Sequence, residues 1–412
     1  MTYYCRPPMD PEAVSPLPRV VLEDPAVWQD LHAAFAGPRE ASPLGLGGDG
    51  GLIVLRQAEA LGVLRDRVFA ATDLLAIYGL DHGPVWEWWR LVMSSRNPPE
   101  HTRVRGTVSR AFTPRSIERL RPRIAELATE LLEPALHGGG SFDVIEGFAN
   151  QLPSLVMAHM LDIPDDDQAM FSGWTSDIGL IFGAAAAKDT GLLAHIEEVL
   201  AQLYAYVGEL TARRRAQPGE DLLSELIAAE ETGGRLSGEE LAALVANLLF
   251  AGHDTTRSQL MITFALLAQH PDQFAALRHD LSLVANATEE ILRFEPAVFG
   301  SARQPLEDVV VGGVTIPAGV PLQVSLVAAS RDPRAWDQPD RFDVTRVDPR
   351  PVDFGGGIHH CLGAALARCE LQEALRLLAT RVDAIELVEQ PQWVPYAAIR
   401  RFADLQVTLR SR

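Results

Sequence analysis

The sequence predicts a helix-dominated α+β fold in one compact unit, and three observations carry that reading. Segments with clear apolar periodicity are mostly helical. Short strand-like runs occur near the start and again in the last third. No Ser/Gly linker, low-complexity tract or internal repeat divides the 412 residues, so residues 1–412 read as a single domain.

In chain order, residues 1–18 are rich in proline and polar side chains and lack an apolar h-region, which predicts a loose N-terminal tail. Residues 51–55 read as a strand. Asn97-Pro98-Pro99-Glu100 opens a helix, and helical patterns cover residues 116–132, 191–215 and 271–293. The clearest helix starts at Ser237-Gly238-Glu239-Glu240, a capping box, and runs largely apolar to Pro271. At 1.5 Å per residue it spans ~50 Å, so a helix that long and that apolar belongs at the centre of the molecule. Residues 309–316 read as a strand and residues 362–379 as a helix.

A net charge of −19 and a pI near 5.0 argue against nucleic acid or an anionic membrane as the main partner. No run approaches the ~20 apolar residues of a membrane span. Three cysteines (Cys5, Cys361, Cys369) indicate a reducing compartment without a disulfide framework, hence a cytoplasmic protein. Cys369 reads as core packing and Cys5 as part of the tail.

The most informative stretch is Phe354-Gly-Gly-Gly-Ile-His-His-Cys361-Leu-Gly363. It places a cysteine at the end of a glycine-rich loop, directly before a helix-forming run. A thiolate there meets the positive end of a helix dipole and unpaired backbone N–H groups. Gly355, Gly357 and Gly363 permit tight turns and close approach of a flat ligand. Two plainer readings stand beside this one: an ordinary buried thiol, or a zinc site using His359, His360 and Cys361. Three adjacent residues rarely converge on one tetrahedral ion, and no second Cys or His pair lies at ligand spacing.

The decapeptide fits F-G-x-G-x-H-x-C-x-G at every position and resembles the cysteine-ligand loop of the cytochrome P450 family. By that resemblance Cys361 binds the iron of haem b (iron protoporphyrin IX), and a thiolate ligand favours O–O cleavage. Further matches lie in the family's order. Ala251-Gly252-His253-Asp254-Thr255-Thr256, midway along the central helix, resembles the oxygen-activation segment A-G-x-D-T-T. From the residues alone, polar groups inside a buried helix are costly unless satisfied or functional. Gly252 lets a flat cofactor approach, and a Thr255 hydroxyl bonded back to Ala251 bends the helix. The resemblance makes Thr255 and Asp254 the pair that supports dioxygen activation, Asp254 passing protons. A kink held by threonines is the structural alternative, and His253 reads as a satisfied side chain.

Glu290 and Arg293, at i and i+3 just ahead of Phe294-Glu295-Pro296, resemble the family's E-x-x-R pair. Arg346 is the second arginine of that structural network, with Arg341 its rival. His101 and Arg105 share a helix face. The resemblance assigns them, with Arg303 and His359, to the haem propionates, which arginine suits well. Ala365 departs from the proline that many relatives carry after the Gly-Ala of the ligand helix.

The implied fold is a helical prism with a small β region and haem between the long central helix and the cysteine loop. Expected pocket walls above the haem are residues 86–93, 178–182, 248–252, 297–299 and 398–399. Within them Trp86, Leu248, Leu249, Val298, Phe299 and Ile399 are the candidate contacts to a small apolar substrate. The Trp86-Glu87-Trp88-Trp89 cluster serves packing or substrate contact. No P-loop, dinucleotide fingerprint or fused redox domain is present, so electrons come from separate proteins, a ferredoxin and its reductase. Arg103, Arg110 and His360 are candidates for a basic face toward such a carrier. The implied reaction is monooxygenation with O2; the alternatives are a peroxide-driven haem-thiolate enzyme and a non-catalytic haem-binding or gas-sensing protein.

Overall fold

The computed structural model describes residues 16–412, apart from 49, 78, 168–169, 171–172, 175–176, 182–188 and 232–235. Cys5, most of the expected N-terminal tail and Phe182 of the expected pocket wall therefore lie outside the described residues. The chain divides into two compact units: Met1–Thr72, Met261–Cys361 and Asp383–Thr408 form one, and Asp73–Leu260, Leu362–Val382 and Leu409–Arg412 the other.

The first unit is built on a six-stranded sheet. Its spatial order is Arg19–Val20, Leu44–Gly47, Leu52–Val54, Leu322–Ser325, Gly300–Pro305 and Phe69–Ala71. Leu52 pairs in parallel with Leu322, and Arg303 sits antiparallel to both Leu322 and Ala71. Fully buried Leu44, Val54, Leu322 and Val324 pack with Ala60, Val63 and Leu64 of helix Gln57–Arg65. A second cluster joins Trp28, Phe35, Leu55 and Phe299. The expected strand over 309–316 is instead a hairpin, Val309–Val311 against Val314–Ile316. Gly312 (φ 58°) and Gly313 (φ 85°) take the two left-handed turn positions that reverse the chain.

The expected helix over 271–293 is two helices, Pro271–His279 and Val284–Phe294. The apolar pattern continues across the break, but Asp280 turns extended (φ −135°, ψ 97°) and its carboxylate accepts from Ser282 N at 2.9 Å. A short polar side chain that caps backbone N–H groups competes with helix at that point.

The second unit is helical. The expected 116–132 helix likewise divides, into Pro114–Glu118, capped by Thr113, and Arg121–Gly138, where Pro122 suits a first turn. Helix Thr190–Ala216 is capped by Asp189, whose carboxylate accepts from Leu192 N at 2.9 Å, and it ends on Arg213, Arg214 and Arg215. Ala364–Arg381 packs on Arg121–Gly138, and an Arg121–Glu373 ion pair of 2.5 Å ties them. The central helix Gly238–Gln269 has 32 residues. Its capping box is formed as the sequence predicts: Glu240 N donates to Ser237 Oγ at 3.1 Å, and Ser237 N donates to Glu240 Oε2 at 3.0 Å. The boundary between the units falls within this helix, after Leu260.

Candidate haem and oxygen-activation site

In the first unit, the loop ahead of the cysteine is held by its own backbone. Gly355 N donates to Val352 O (2.8 Å), and Cys361 N donates to Phe354 O (2.9 Å). Gly355 and Gly357 are left-handed, with φ of 67° and 64°. A Cβ on Gly357 would stand 2.4 Å from Leu64 O, so this glycine is needed for packing as well as for its φ. Phe354 is buried and His359 half-buried. Cys361 is exposed while Cys369 is buried, and burial pushes the Cys369 thiol up to about 12. Of the two described cysteines, the loop cysteine is therefore the accessible one. Gly363 caps the following helix, Ala364–Arg381, which starts two residues later than expected.

Arg303 is 6% exposed, yet among the described residues it forms no ion pair. It donates to Ser301 Oγ and Ala302 O, each at 2.8 Å. Burial lowers its pKa to about 10. A buried guanidinium with no carboxylate beside it suits an anionic ligand group such as a haem propionate.

The Glu290 carboxylate, fully buried, takes Arg293 Nε at 2.7 Å and Nη2 at 2.9 Å. Both of its oxygens also lie 3.1 Å from Arg346 Nε, and Asp343 N donates to Oε1 at 3.0 Å. Arg341 stands aside: its guanidinium lies 3.5 Å from Asp343, and its carbonyl accepts from Arg346 at 2.8 Å. A second carboxylate, the half-buried Glu295, escaped the sequence reading. Despite burial, which works the other way, Arg400, His32 (3.0 Å) and Arg331 (3.7 Å) hold it well below the usual carboxylate range. Its position between Phe294 and Pro296 was the available signal.

In the second unit, the central helix is buried along most of its length, but Ala251 is exposed and Gly252 and Thr255 are half-buried. Thr255 donates to Ala251 O at 2.9 Å, the expected back-bond. Gly252 has a further reason: a Cβ there would meet Met157 Sδ at 2.9 Å, so the glycine admits a neighbouring side chain. Asp254 is fully buried, its Oδ1 paired with Arg257. His253 bonds Asn150 O through Nε2 (3.1 Å), and burial lowers its pKa to about 4. His101 is buried and Arg105 half-buried on helix Glu100–Val108.

The expected pocket residues divide. Leu248 and Leu249 are buried next to the accessible stretch of the central helix. Trp86 donates to Asp73 at 2.8 Å and is covered by Arg90, 4.6 Å from its ring. Val298 bridges Ile399. The Phe299 ring packs against Trp28 (5.3 Å) and Phe35 (6.1 Å). Arg103 departs from its expected place in a free basic face, because Glu240 binds it at 2.6 Å together with Arg96 at 2.6 Å. Arg110 and His360 are exposed. The hydrogen bonds from Arg103, then those from Arg96, lower the Glu240 pKa to about 2.

Within the first unit, an exposed thiol on a hydrogen-bonded glycine loop and a buried Arg303 with no ion pair among the described residues fit a haem-thiolate cofactor; within the second, the central helix leaves Ala251, Gly252 and Thr255 accessible. Among the described residues no group of three or more His, Cys, Asp or Glu side chains is arranged to hold a metal ion, so the zinc reading finds no ligand set. No helix among them is long and apolar enough to cross a membrane.

Comparison with known proteins agrees. The Cytochrome P450 family profile matches residues 188–381. Luteothin monooxygenase of Streptomyces thioluteus is 36% identical over 83% of this chain and 84% of its own. Nocardicin C N-oxygenase of Nocardia uniformis subsp. tsuyamanensis is 40% identical over 77% and 79%. The crystal structure of CalO2 superposes with a TM-score of 0.86 at 32% identity, covering 94% of this chain and 97% of its own. Similarity at this level across most of both chains, joined to the cysteine loop and the central-helix segment, places the protein in a family that implies a haem cofactor: the chain belongs to the cytochrome P450 family and is one of its monooxygenases.

Proposed function

We propose that this chain inserts one atom of dioxygen into a small apolar organic molecule, by hydroxylation or epoxidation, using electrons from a separate ferredoxin and ferredoxin reductase in the cytoplasm. The observation that carries the reading is the window at Ala251, Gly252 and Thr255 in an otherwise buried helix, with Asp254 beside it. Relatives whose names are monooxygenase, N-oxygenase and hydroxylase/epoxidase support the reaction class.

When bound, haem with a thiolate ligand supplies dioxygen activation and O–O cleavage. By the family resemblance Cys361 would hold its iron, and Arg303, His359, His101 and Arg105 would bind its propionates. Glu290, Arg293 and Arg346 keep the scaffold of the cysteine loop in place. Thr255 presents a hydroxyl at the accessible window and Asp254 passes protons. Leu248 and Leu249, buried next to the accessible stretch of the central helix, favour an apolar substrate.

The test has two stages. A ligand screen read by the haem Soret shift selects a substrate. That compound is then incubated with NADPH, a surrogate ferredoxin, its reductase and isotopically labelled dioxygen. Product carrying one labelled oxygen is the expected result. Product only with added hydrogen peroxide, or none at all, overturns the proposal in favour of peroxide-driven or non-catalytic haem binding.

A further inference from the structure

Beside Asp254 the second unit contains a seam of buried polar atoms that the reaction as described does not use. On the central helix, His253 and Arg257 are one turn apart, as are Asp254 and Ser258, so the four form two adjacent rows. Asn150 and Ser154 have the same spacing at the start of helix Gln151–Leu161. The rows meet: His253 Nε2 lies 3.1 Å from Asn150 O, Arg257 Nη1 donates to Asn150 Oδ1 at 3.4 Å, and Arg257 Nη2 donates to Asp254 Oδ1.

Apart from half-buried Asn150, these side chains are closed off from solvent. Asp254 and Ser258 are 0% exposed, His253 1%, Ser154 2% and Arg257 7%. Among the described residues, five of their polar atoms have no hydrogen-bond partner: Ser154 Oγ, His253 Nδ1, Asp254 Oδ2, Arg257 Nε and Ser258 Oγ. Left dry, five such atoms cost an amount comparable with the net stability of a domain. Protein interiors satisfy clustered polar atoms with bound water, each molecule making two to four hydrogen bonds.

The seam also has an outer end. Asn150 Nδ2 donates to Glu146 Oε1 at 2.8 Å, and Glu146 is exposed. Between them lies a π-helical turn, Ile145–Ala149, closed by Asn150 N donating to Ile145 O at 2.9 Å. Such widened turns accompany functional sites; here one sets Asn150 between a surface carboxylate and Arg257.

We propose that Asn150, Ser154, His253, Arg257 and Ser258 enclose a chain of bound water that leads from the surface at Glu146 to Asp254 Oδ2 and supplies the protons of the reaction. The role rests on the monooxygenase reading, in which Asp254 passes protons. Arg257 stays charged and an amide is no proton carrier, so water conducts while these residues position it. Arg257 occupies Oδ1 and leaves Oδ2 as the atom that protonates. A water on Oδ2 gives up one proton, and the hydroxide left behind is neutralised by a proton passed along the chain from bulk solvent. Asp254 releases its proton inward and returns to carboxylate, so each passage moves one proton and leaves every residue unchanged, and two passages supply the two protons that one monooxygenation consumes. Burial keeps His253 neutral, which makes it a hydrogen-bond partner for this water.

Two measurements test this. A high-resolution crystal structure of the haem-loaded protein is expected to show ordered water within hydrogen-bond distance of Asp254 Oδ2, Arg257 Nε and Ser258 Oγ; a dry seam overturns the proposal. In turnover, Ser154→Ala/Ser258→Ala, and Ser258→Val, which fills the seam, are compared with wild type in H2O and D2O. Product formation is expected to fall about tenfold, with a larger solvent isotope effect and more hydrogen peroxide per NADPH, while haem content and the ligand-induced Soret shift hold. Ser258→Thr, which keeps a hydroxyl, restores the rate. An unchanged isotope effect in both variants overturns the proton-supply role. Absence of NADPH-dependent product from wild-type protein refutes the monooxygenase reading itself and that role with it, and leaves the crystallographic result to stand separately.

Discussion

Glu290→Ala is the sharpest perturbation of the scaffold around the cysteine loop. Both Glu290 and Arg293 are 0% exposed, so the substitution strands a guanidinium where water does not reach. Breaking a buried pair from one side costs about 3–5 kcal/mol. The Asp343 N–H loses its acceptor as well, a further ~1 kcal/mol. Partial relief comes from carbonyls already at the guanidinium, Pro339 O at 2.9 Å and Ser330 O at 3.2 Å. A net loss of about 4 kcal/mol is a large share of the ~5–15 kcal/mol that holds a protein folded. With a urea dependence of about 3–4 kcal/mol/M for a chain this size, the midpoint drops by ~1 M. Urea titration followed by far-UV circular dichroism and haem absorbance reads it. Removing both charges in Glu290→Ala/Arg293→Met relieves the stranding, so the double variant is less destabilised than the two single losses summed, by at least about 1 kcal/mol. An unchanged midpoint in Glu290→Ala, or strict additivity in the double variant, refutes the buried-network argument.

Thr255→Ala removes one hydroxyl and little volume; haem and ligand binding are expected to persist while product per NADPH falls and hydrogen peroxide rises. Asp254→Asn slows turnover, by about 10²-fold or more, because an amide does not pass protons. Glu370 is fully buried, neither oxygen is hydrogen-bonded among the described residues, and burial raises its pKa well above the ordinary 4.5. The native state therefore retains a proton that the unfolded chain releases above pH 4.5, and stability falls as pH rises. Glu370→Gln should match wild type near pH 4 and exceed it in melting temperature at pH 8; equal melting temperatures at pH 8 contradict this. Glu240 has the opposite sign: its pKa of about 2 gives stability that is present above pH 4.5 and lost as pH falls toward 2. Glu240→Gln is expected to melt lower at pH 7 and to converge with wild type in strong acid.

Local signals in the sequence were legible and distant ones were not. The Ser237–Glu240 box and the Thr255 back-bond each depend on residues within one turn, and each forms. Two expected helices divided because apolar periodicity runs on past Asp280 and past Leu120, where a polar cap or a proline starts a new helix. The clamp of Arg96 and Arg103 on Glu240 joins positions more than a hundred residues apart, and neither composition nor spacing announces it. The family resemblance put Phe299 in the pocket wall, but its ring packs on Trp28 and Phe35, residues that meet it only through the fold. The polar seam around Asp254 escaped for the same reason, since Asn150 and Ser154 carry no sign of their partners until the helices pack.

The central claim is that Cys361 supplies the thiolate ligand of a haem, and the reduced carbon monoxide complex tests it most directly. Wild-type protein is predicted to show the strongly red-shifted Soret band of thiolate ligation, and Cys361→Ser to lose that band while still binding haem. A wild-type complex without the band, or a Cys361→Ser complex that keeps it, contradicts the assignment.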